Sequence, residues 1–268
     1  MEGDAEAPVL YSVHDGVATL TLNRPERLNA WTPDMEEAYF DRLEQADDDG
    51  DVRVIVVTGS GQGFCPGMDS SVLAGRAAAA APLSDRRRPM TFPLSIRKMT
   101  IASINGACAG IGLIQALCCD VRFAASDARI ATAFVRRGLA PEFGVGWLMT
   151  RIIGAGRAAD LLLSSRTLSG MEAQEIGLVS KGVPAQGLVA EVERYARDVA
   201  VHCSPRAIAY AKADLLLDWN RTRELAEQDA LQVTGRDGHR DDFREGIQSL
   251  LDKGPPSFEN LPPVWGHR

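Results

Sequence analysis

The order of the apolar runs predicts an α/β fold followed by a helical C-terminal region, and three observations carry that expectation. Val9–Val13 and Val17–Leu22 are short β-rich runs separated by His14-Asp15-Gly16, the pattern of a hairpin with a tight turn. Arg53–Thr58 (RVIVVT) is an unbroken β-branched run, which suits a strand covered on both faces, and it ends in the glycine-rich stretch Gly59–Gly63. From Gln186 onward the spacing is helical throughout, over Leu188–Cys203, Pro205–Leu217, Arg221–Val233 and Asp241–Leu251. A chain of 268 residues with 45% hydrophobic content can bury one large core. One extended unit is expected, with a core over residues 1–200 and a helical region over 201–268.

Between these landmarks the elements follow in order. Thr32-Pro33-Asp34 begins a helix by the rule of an N-cap followed by proline, and Met35, Tyr39, Leu43 and Ala46 share one face of it. Ala74–Pro93 combines an alanine run, three arginines and three prolines, and is expected to be a mobile loop. Ile101–Ile104 reads as a second buried strand, Asn105-Gly106 as a turn, and Ala109–Cys119 as an apolar helix opening on Gly110-Ile111-Gly112. Asp120–Ala124 and Arg129–Ala131 supply two further strands, after which the sheet is expected to be complete. Gly144–Ile153, Ala155–Ser164 and Met171–Ile176 read as helices, and the ridge Ile208, Ala211, Leu215 and Trp219 as core or subunit contact.

Charge and cysteine usage exclude several function classes. With 29 Lys+Arg against 36 Asp+Glu the formal charge is −7, so there is no basic field for nucleic acid or an anionic membrane. No run approaches the ~18 apolar residues of a membrane span, and the acidic start MEGDAEA lacks the basic n-region of a signal peptide. A cytoplasmic protein is expected. The five cysteines contain no C-x-x-C pair, which fits neither a disulfide framework nor a zinc site. Cys108, Cys118, Cys119 and Cys203 read as buried hydrophobes, whereas Cys65, in the glycine loop, is the candidate for exposure.

The glycine loop admits three readings that fail. A phosphate-binding G-x-x-x-x-G-K-[ST] needs a lysine, and Gly59–Asp69 has none. A dinucleotide fingerprint needs a third glycine where Gly61-Gln62-Gly63 is followed by Phe64-Cys65-Pro66. The G-x-S-x-G elbow is absent because Thr58 precedes Ser60 by two. What residues 53–69 (RVIVVTGSGQGFCPGMD) do resemble is the signature of the crotonase (enoyl-CoA hydratase/isomerase) family. A second block, Ile104–Gly112 through Cys119-Asp120, matches that family's strand and glycine-opened helix, and Asn23–Ala30 resembles its coenzyme A contact segment. Gly177-Leu178-Val179 with Val183-Pro184 matches a later landmark, so the resemblance covers about residues 9–253.

The resemblance implies a ββα superhelical core that binds a coenzyme A thioester, with no other cofactor, and a homo-oligomer, trimer or hexamer, assembled through the C-terminal helices. Its thioester oxygen would be held by the backbone N–H groups of Met68 and Ile111, with Gly67 and Gly110 shaping the loops. Arg27, Leu28, Ala30 and Asp69 would stand along the coenzyme A segment, Asp69 also as a helix cap. Such preorganised donors stabilise an enolate by a few kcal/mol.

The two glutamate positions of the family's hydratases fall on Ile114 and Phe134, which carry no proton and instead line an apolar substrate pocket. Each missing group forfeits a ~100- to 10,000-fold acid–base contribution. Glu142, in Leu139-Ala140-Pro141-Glu142, corresponds to the aspartate of dienoyl-CoA isomerases in this family. It is the candidate proton carrier, and a helix-terminal acid or ion-pair partner is the structural alternative. Double-bond isomerisation fits one carboxylate best. Hydration by a modified route and a catalytically silent fatty acyl-CoA binder are the alternatives. The Arg86–Arg88 run reads as a solvated face that could meet a phosphate of coenzyme A.

Overall fold

The computed structural model describes residues 6–79, 88–234 and 237–263. The hairpin forms as expected from β1 (Val9–His14) and β2 (Val17–Leu22). Helix α1 (Pro33–Asp48) follows, its first turn capped by the Thr32 hydroxyl, which accepts from Met35 N at 3.2 Å. Then come β3 (Val54–Gly59), β4 (Gly63–Cys65), α2 (Ser70–Ala79), β5 (Met99–Ile104), β6 (Ala107–Ala109) and α3 (Ile111–Cys118). The chain continues through β7 (Val121–Ala125), β8 (Ile130–Ala131), α4 (Val145–Ile153), α5 (Ala155–Ser164), α6 (Gly170–Glu175) and β9 (Lys181–Val183). It ends in α7 (Leu188–His202), α8 (Pro205–Asp218), α9 (Arg223–Thr234) and α10 (Asp237–Asp252).

Among the described residues the strands make two sheets. The larger has the order β1-β2-β3-β5-β7-β9, antiparallel at β1/β2 and parallel beyond. The smaller is β4-β6-β8, parallel throughout. Val54–Val57 of β3 are all buried, as a strand covered on both faces requires. Helix α3 is buried along its whole length. No helix among the described residues is long and apolar enough to cross a membrane.

Several expectations are corrected here. The sheet is not complete after β8, because β9 adds an edge strand beside β7. The three-residue strands β4 and β6 lie where a loop and a helix start were expected. Residues 74–79 are helical, since an alanine-rich run has high helix propensity and Asp69 caps it. Of the remainder of that expected loop, residues 80–87 lie outside the described residues, and Phe92–Ser95 form a 3-10 turn. Arg88 does not belong to a solvated face: it is buried and donates to Asp41 at 2.6 Å and to Glu44 at 2.5 Å on α1. Of the ridge Ile208, Ala211, Leu215, Trp219, only Trp219 is packed against the core, whereas Ala211 and Leu215 are exposed, which leaves subunit contact as the reading for those two; α8 buries Ala209 and Lys212. Lys212 anchors α8 by donating to Asp120 at 2.8 Å and to Lys98 O at 3.1 Å. The cysteine expectation is reversed at two positions: Cys65 is buried and Cys203 is exposed.

Candidate active site

The smaller sheet organises the site. Parallel neighbours present their C-terminal ends at one edge, the place where ligands meet open parallel sheets. Strand β4 runs into Pro66-Gly67-Met68, β6 into Gly110-Ile111, and β8 into Thr132-Ala133-Phe134. All three segments line one cavity of about 430 Å³, whose wall is completed by Leu73 and Ala77 of α2 and by Leu139 and Glu142.

The first two segments touch. Gly67 has φ 113° and Gly110 φ 52°, backbone conformations that L side chains rarely adopt. A Cβ on Gly67 would stand 3.3 Å from Ala109 O, and one on Gly110 would stand 3.7 Å from Gly67 Cα. The loop after β4 is set by Trp31, whose N–H donates to Gly67 O at 2.8 Å and whose carbonyl accepts from Asp69 N at 2.9 Å. In such a bridge the intervening residue directs its own N–H to the opposite side, so the Met68 amide faces away from Trp31. Ile111 is the first residue of α3, where an N–H has no carbonyl one turn earlier and the helix dipole favours an oxyanion. Gly110 therefore makes the close approach to the loop, and Gly112 serves packing: a Cβ there would fall 2.1 Å from Cys65 O.

The third segment is shaped by strain. Ala133 (φ 65°) and Phe143 (φ 53°) are non-glycine residues in the left-handed region, one before Phe134 and the other directly after Glu142. Such positions cost ~1–3 kcal/mol and persist where surrounding structure enforces them, commonly at functional sites. Thr132 is held below by its hydroxyl, which donates to Leu161 O at 2.9 Å. Glu142 is half-buried, and its carbonyl accepts from Val145 N at 3.1 Å at the entry to α4. Among the described residues its carboxylate makes no hydrogen bond or ion pair.

Phe134 lies in the cavity wall and is 5% exposed. Ile114, expected beside it, is fully buried a turn deeper in α3 and is not part of the wall. Asp69 caps α2, accepting from Ser71 N at 3.0 Å and Ser71 Oγ at 2.8 Å, and it ion-pairs with Arg24 at 3.2 Å. Those hydrogen bonds, the backbone one foremost, hold its carboxyl below the usual range. Burial pushes the Cys65 thiol up to about 12, so this residue offers no thiolate nucleophile near neutral pH.

Arg27, Leu28 and Ala30 stand outside the cavity wall, on a 3-10 turn (Pro25–Arg27) continued by Leu28 (φ 52°) and Asn29 (φ 64°). The residues that hold this segment were missed in the sequence. Asn29, fully buried, donates through Nδ2 to Ser60 O at 2.9 Å and Gly63 O at 2.7 Å, and its Oδ1 accepts from Arg24 N at 2.8 Å. Arg24 in turn donates to Ala30 O at 2.6 Å. Arg137, five residues before Glu142, also stands in the cavity wall.

Comparison with known proteins agrees with this construction. The family model described as enoyl-CoA hydratase/isomerase matches residues 12–261. A 1,2-epoxyphenylacetyl-CoA isomerase of Escherichia coli K12 is 34% identical, over 93% of this chain and 97% of that protein. A Rhodobacter capsulatus protein named "Probable enoyl-CoA hydratase" is 35% identical over the same shares. The crystal structure of an enoyl-CoA hydratase from Bacillus anthracis superposes with a TM-score of 0.88 at 28% identity, covering 94% of this chain and 99% of that one. One from Mycobacterium marinum is 42% identical, with a TM-score of 0.70 over 81% of this chain and 100% of that one. The chain has the crotonase fold and belongs to the enoyl-CoA hydratase/isomerase family of enzymes.

Proposed function

We propose that the protein binds an acyl- or enoyl-CoA, holds its thioester enolate at the N–H groups of Met68 and Ile111, and uses Glu142 to move a proton along the acyl chain. Double-bond isomerisation is the reaction. Glu142 takes a proton from one carbon, the negative charge rests on the thioester oxygen between the two amides, and the proton returns to another carbon. Nothing is gained or lost overall, and no cofactor beyond the substrate's own coenzyme A is needed. The observation that carries this reading is the meeting of the Gly67-Met68 and Gly110-Ile111 loops on one cavity in which, among the described residues, Glu142 is the one carboxylate.

Support also comes from the relative named as a coenzyme A thioester isomerase. Leu28, 40% exposed beside Arg27 and Ala30, offers an apolar surface for the nucleotide end. Residues 1–200 would carry binding and chemistry. The helices beyond 200 would close the pocket and assemble a trimer or hexamer through Leu215, Leu231, Phe243, Leu250 and Leu251, all exposed in the single chain. A cytoplasmic location fits this role.

The test is a spectrophotometric screen of enoyl-, dienoyl- and hydroxyacyl-CoA esters with wild type and Glu142→Gln. Turnover should fall ~100-fold or more in the variant while ester binding persists. Unchanged turnover would sink the assignment of Glu142. The second reading, hydration, is favoured by the name of the Rhodobacter relative and has to do without protons from Ile114 and Phe134. Oxygen-18 from labelled water entering the product would establish hydration, whereas solvent deuterium without labelled oxygen marks isomerisation. Tight ester binding with no turnover of any member would point to a silent carrier.

A further inference from the structure

Among the described residues the cavity wall carries one cation, which the proposed reaction does not use. Arg137 lines it together with Ala133, Leu139 and Glu142, and donates through Nη1 to Ala133 O at 3.0 Å. That tether orients the guanidinium and leaves most of its N–H donors unspent. Among the described residues Arg137 has no carboxylate partner, neither Glu142 nor any other. Pro66, Ala133 and Arg137 are shared with an adjoining groove that also carries Arg129 and Arg136, and no acid stands in its described lining. Arg136 is likewise tied to a backbone carbonyl, Ser164 O at 3.2 Å. Three arginines therefore gather where the cavity meets this groove, on a chain whose formal charge is −7.

Resting on the acyl-CoA reading above, we infer that Arg137 is a specificity residue that recognises a carboxylate carried by the acyl group. The nucleotide end of coenzyme A is expected along Arg27, Leu28 and Ala30, none of which lines this cavity. What extends past Met68 and Ile111 toward Arg137 is then the acyl chain. A planar guanidinium with free parallel donors matches a carboxylate in bidentate fashion. Arg137 is exposed at the rim, so solvent tempers the interaction, and a preference of about tenfold is expected.

The experiment measures binding by titration calorimetry of matched esters, succinyl- against butyryl-CoA, glutaryl- against pentanoyl-CoA and adipoyl- against hexanoyl-CoA, with free coenzyme A as the reference. Wild type should prefer the carboxylated ester of at least one pair by about tenfold, Arg137→Met should lose that ratio, and Arg137→Lys should keep part of it. The inference is overturned if wild type binds the neutral ester as tightly in every pair, a result that needs no variant to fold. It is also overturned if Arg137→Met weakens free coenzyme A and all esters by one common factor, since Arg137 would then read the phosphates. Failure of every coenzyme A ester to bind would instead defeat the acyl-CoA reading itself, and this inference with it.

Discussion

The two halves of the cavity are built on different terms. Around the loops that follow β4 and β6, main chain packs against main chain: a Cβ on Gly59, Gly106 or Gly112 would fall 2.1, 2.0 or 2.1 Å from a backbone carbonyl oxygen. Around the segment from β8 to α5, Gly138, Gly144 and Gly154 have nothing within 4 Å of the same position, and the shape comes from left-handed turns at Ala133 and Phe143. At those three glycines the first half tolerates no added atom, and its geometry follows from the sheet. The second is held by local strain and side chains, so its chemistry can be altered without dismantling the fold.

The sharpest way to break that contrast is a pair of glycine substitutions. Gly112→Ala drives a Cβ into Cys65 O and should cost more than ~4 kcal/mol or prevent folding. Gly146→Ala in α4, whose nearest atom is Leu162 Cδ1 at 3.9 Å, should stabilise by up to ~1 kcal/mol. Urea unfolding of both variants decides, and comparable stabilities would remove the distinction. Next in size is Asn29→Ala, which strands Ser60 O, Gly63 O and Arg24 N; about 2–3 kcal/mol should be lost, with KM for a coenzyme A ester rising more than kcat falls.

The effect that builds most gradually, pH unit by pH unit, concerns a buried charge at the end of α1. Lys98 is 1% exposed and donates to Ala46 O at 2.6 Å and Asp49 O at 2.5 Å at the end of α1. Burial lowers its pKa from 10.5 to about 8. Between those values the unfolded chain binds the extra proton, so this group makes stability rise with pH, by at most ~1.4 kcal/mol per pH unit. Lys98→Met should flatten that rise in unfolding curves taken between about pH 8 and 10; an unchanged slope would assign the dependence elsewhere.

Legibility in the sequence followed the length of the signal. The hairpin, β3, α1, α5 and the C-terminal helices were readable because a two- or 3.6-residue period repeats several times in each. Strands β4, β6 and β9 span three residues apiece, too few for any period, and exist because parallel neighbours pair with them. Over residues 74–79 the arginines and prolines that follow mask the helix propensity of alanine in the sequence pattern. The loops bearing Met68 and Ile111 could be placed from their glycines. The depth of Ile114, the clamp made by Asn29 and the position of Arg137 depend on how separate segments converge, which no local pattern records.

The oxyanion donors proposed at positions 68 and 111 are peptide groups, and every amino acid except proline carries the same N–H. Mutation can reshape the surroundings of those amides but can scarcely delete them. Side chains at 114, 134, 137 and 142 can therefore be exchanged one at a time without removing those two amides.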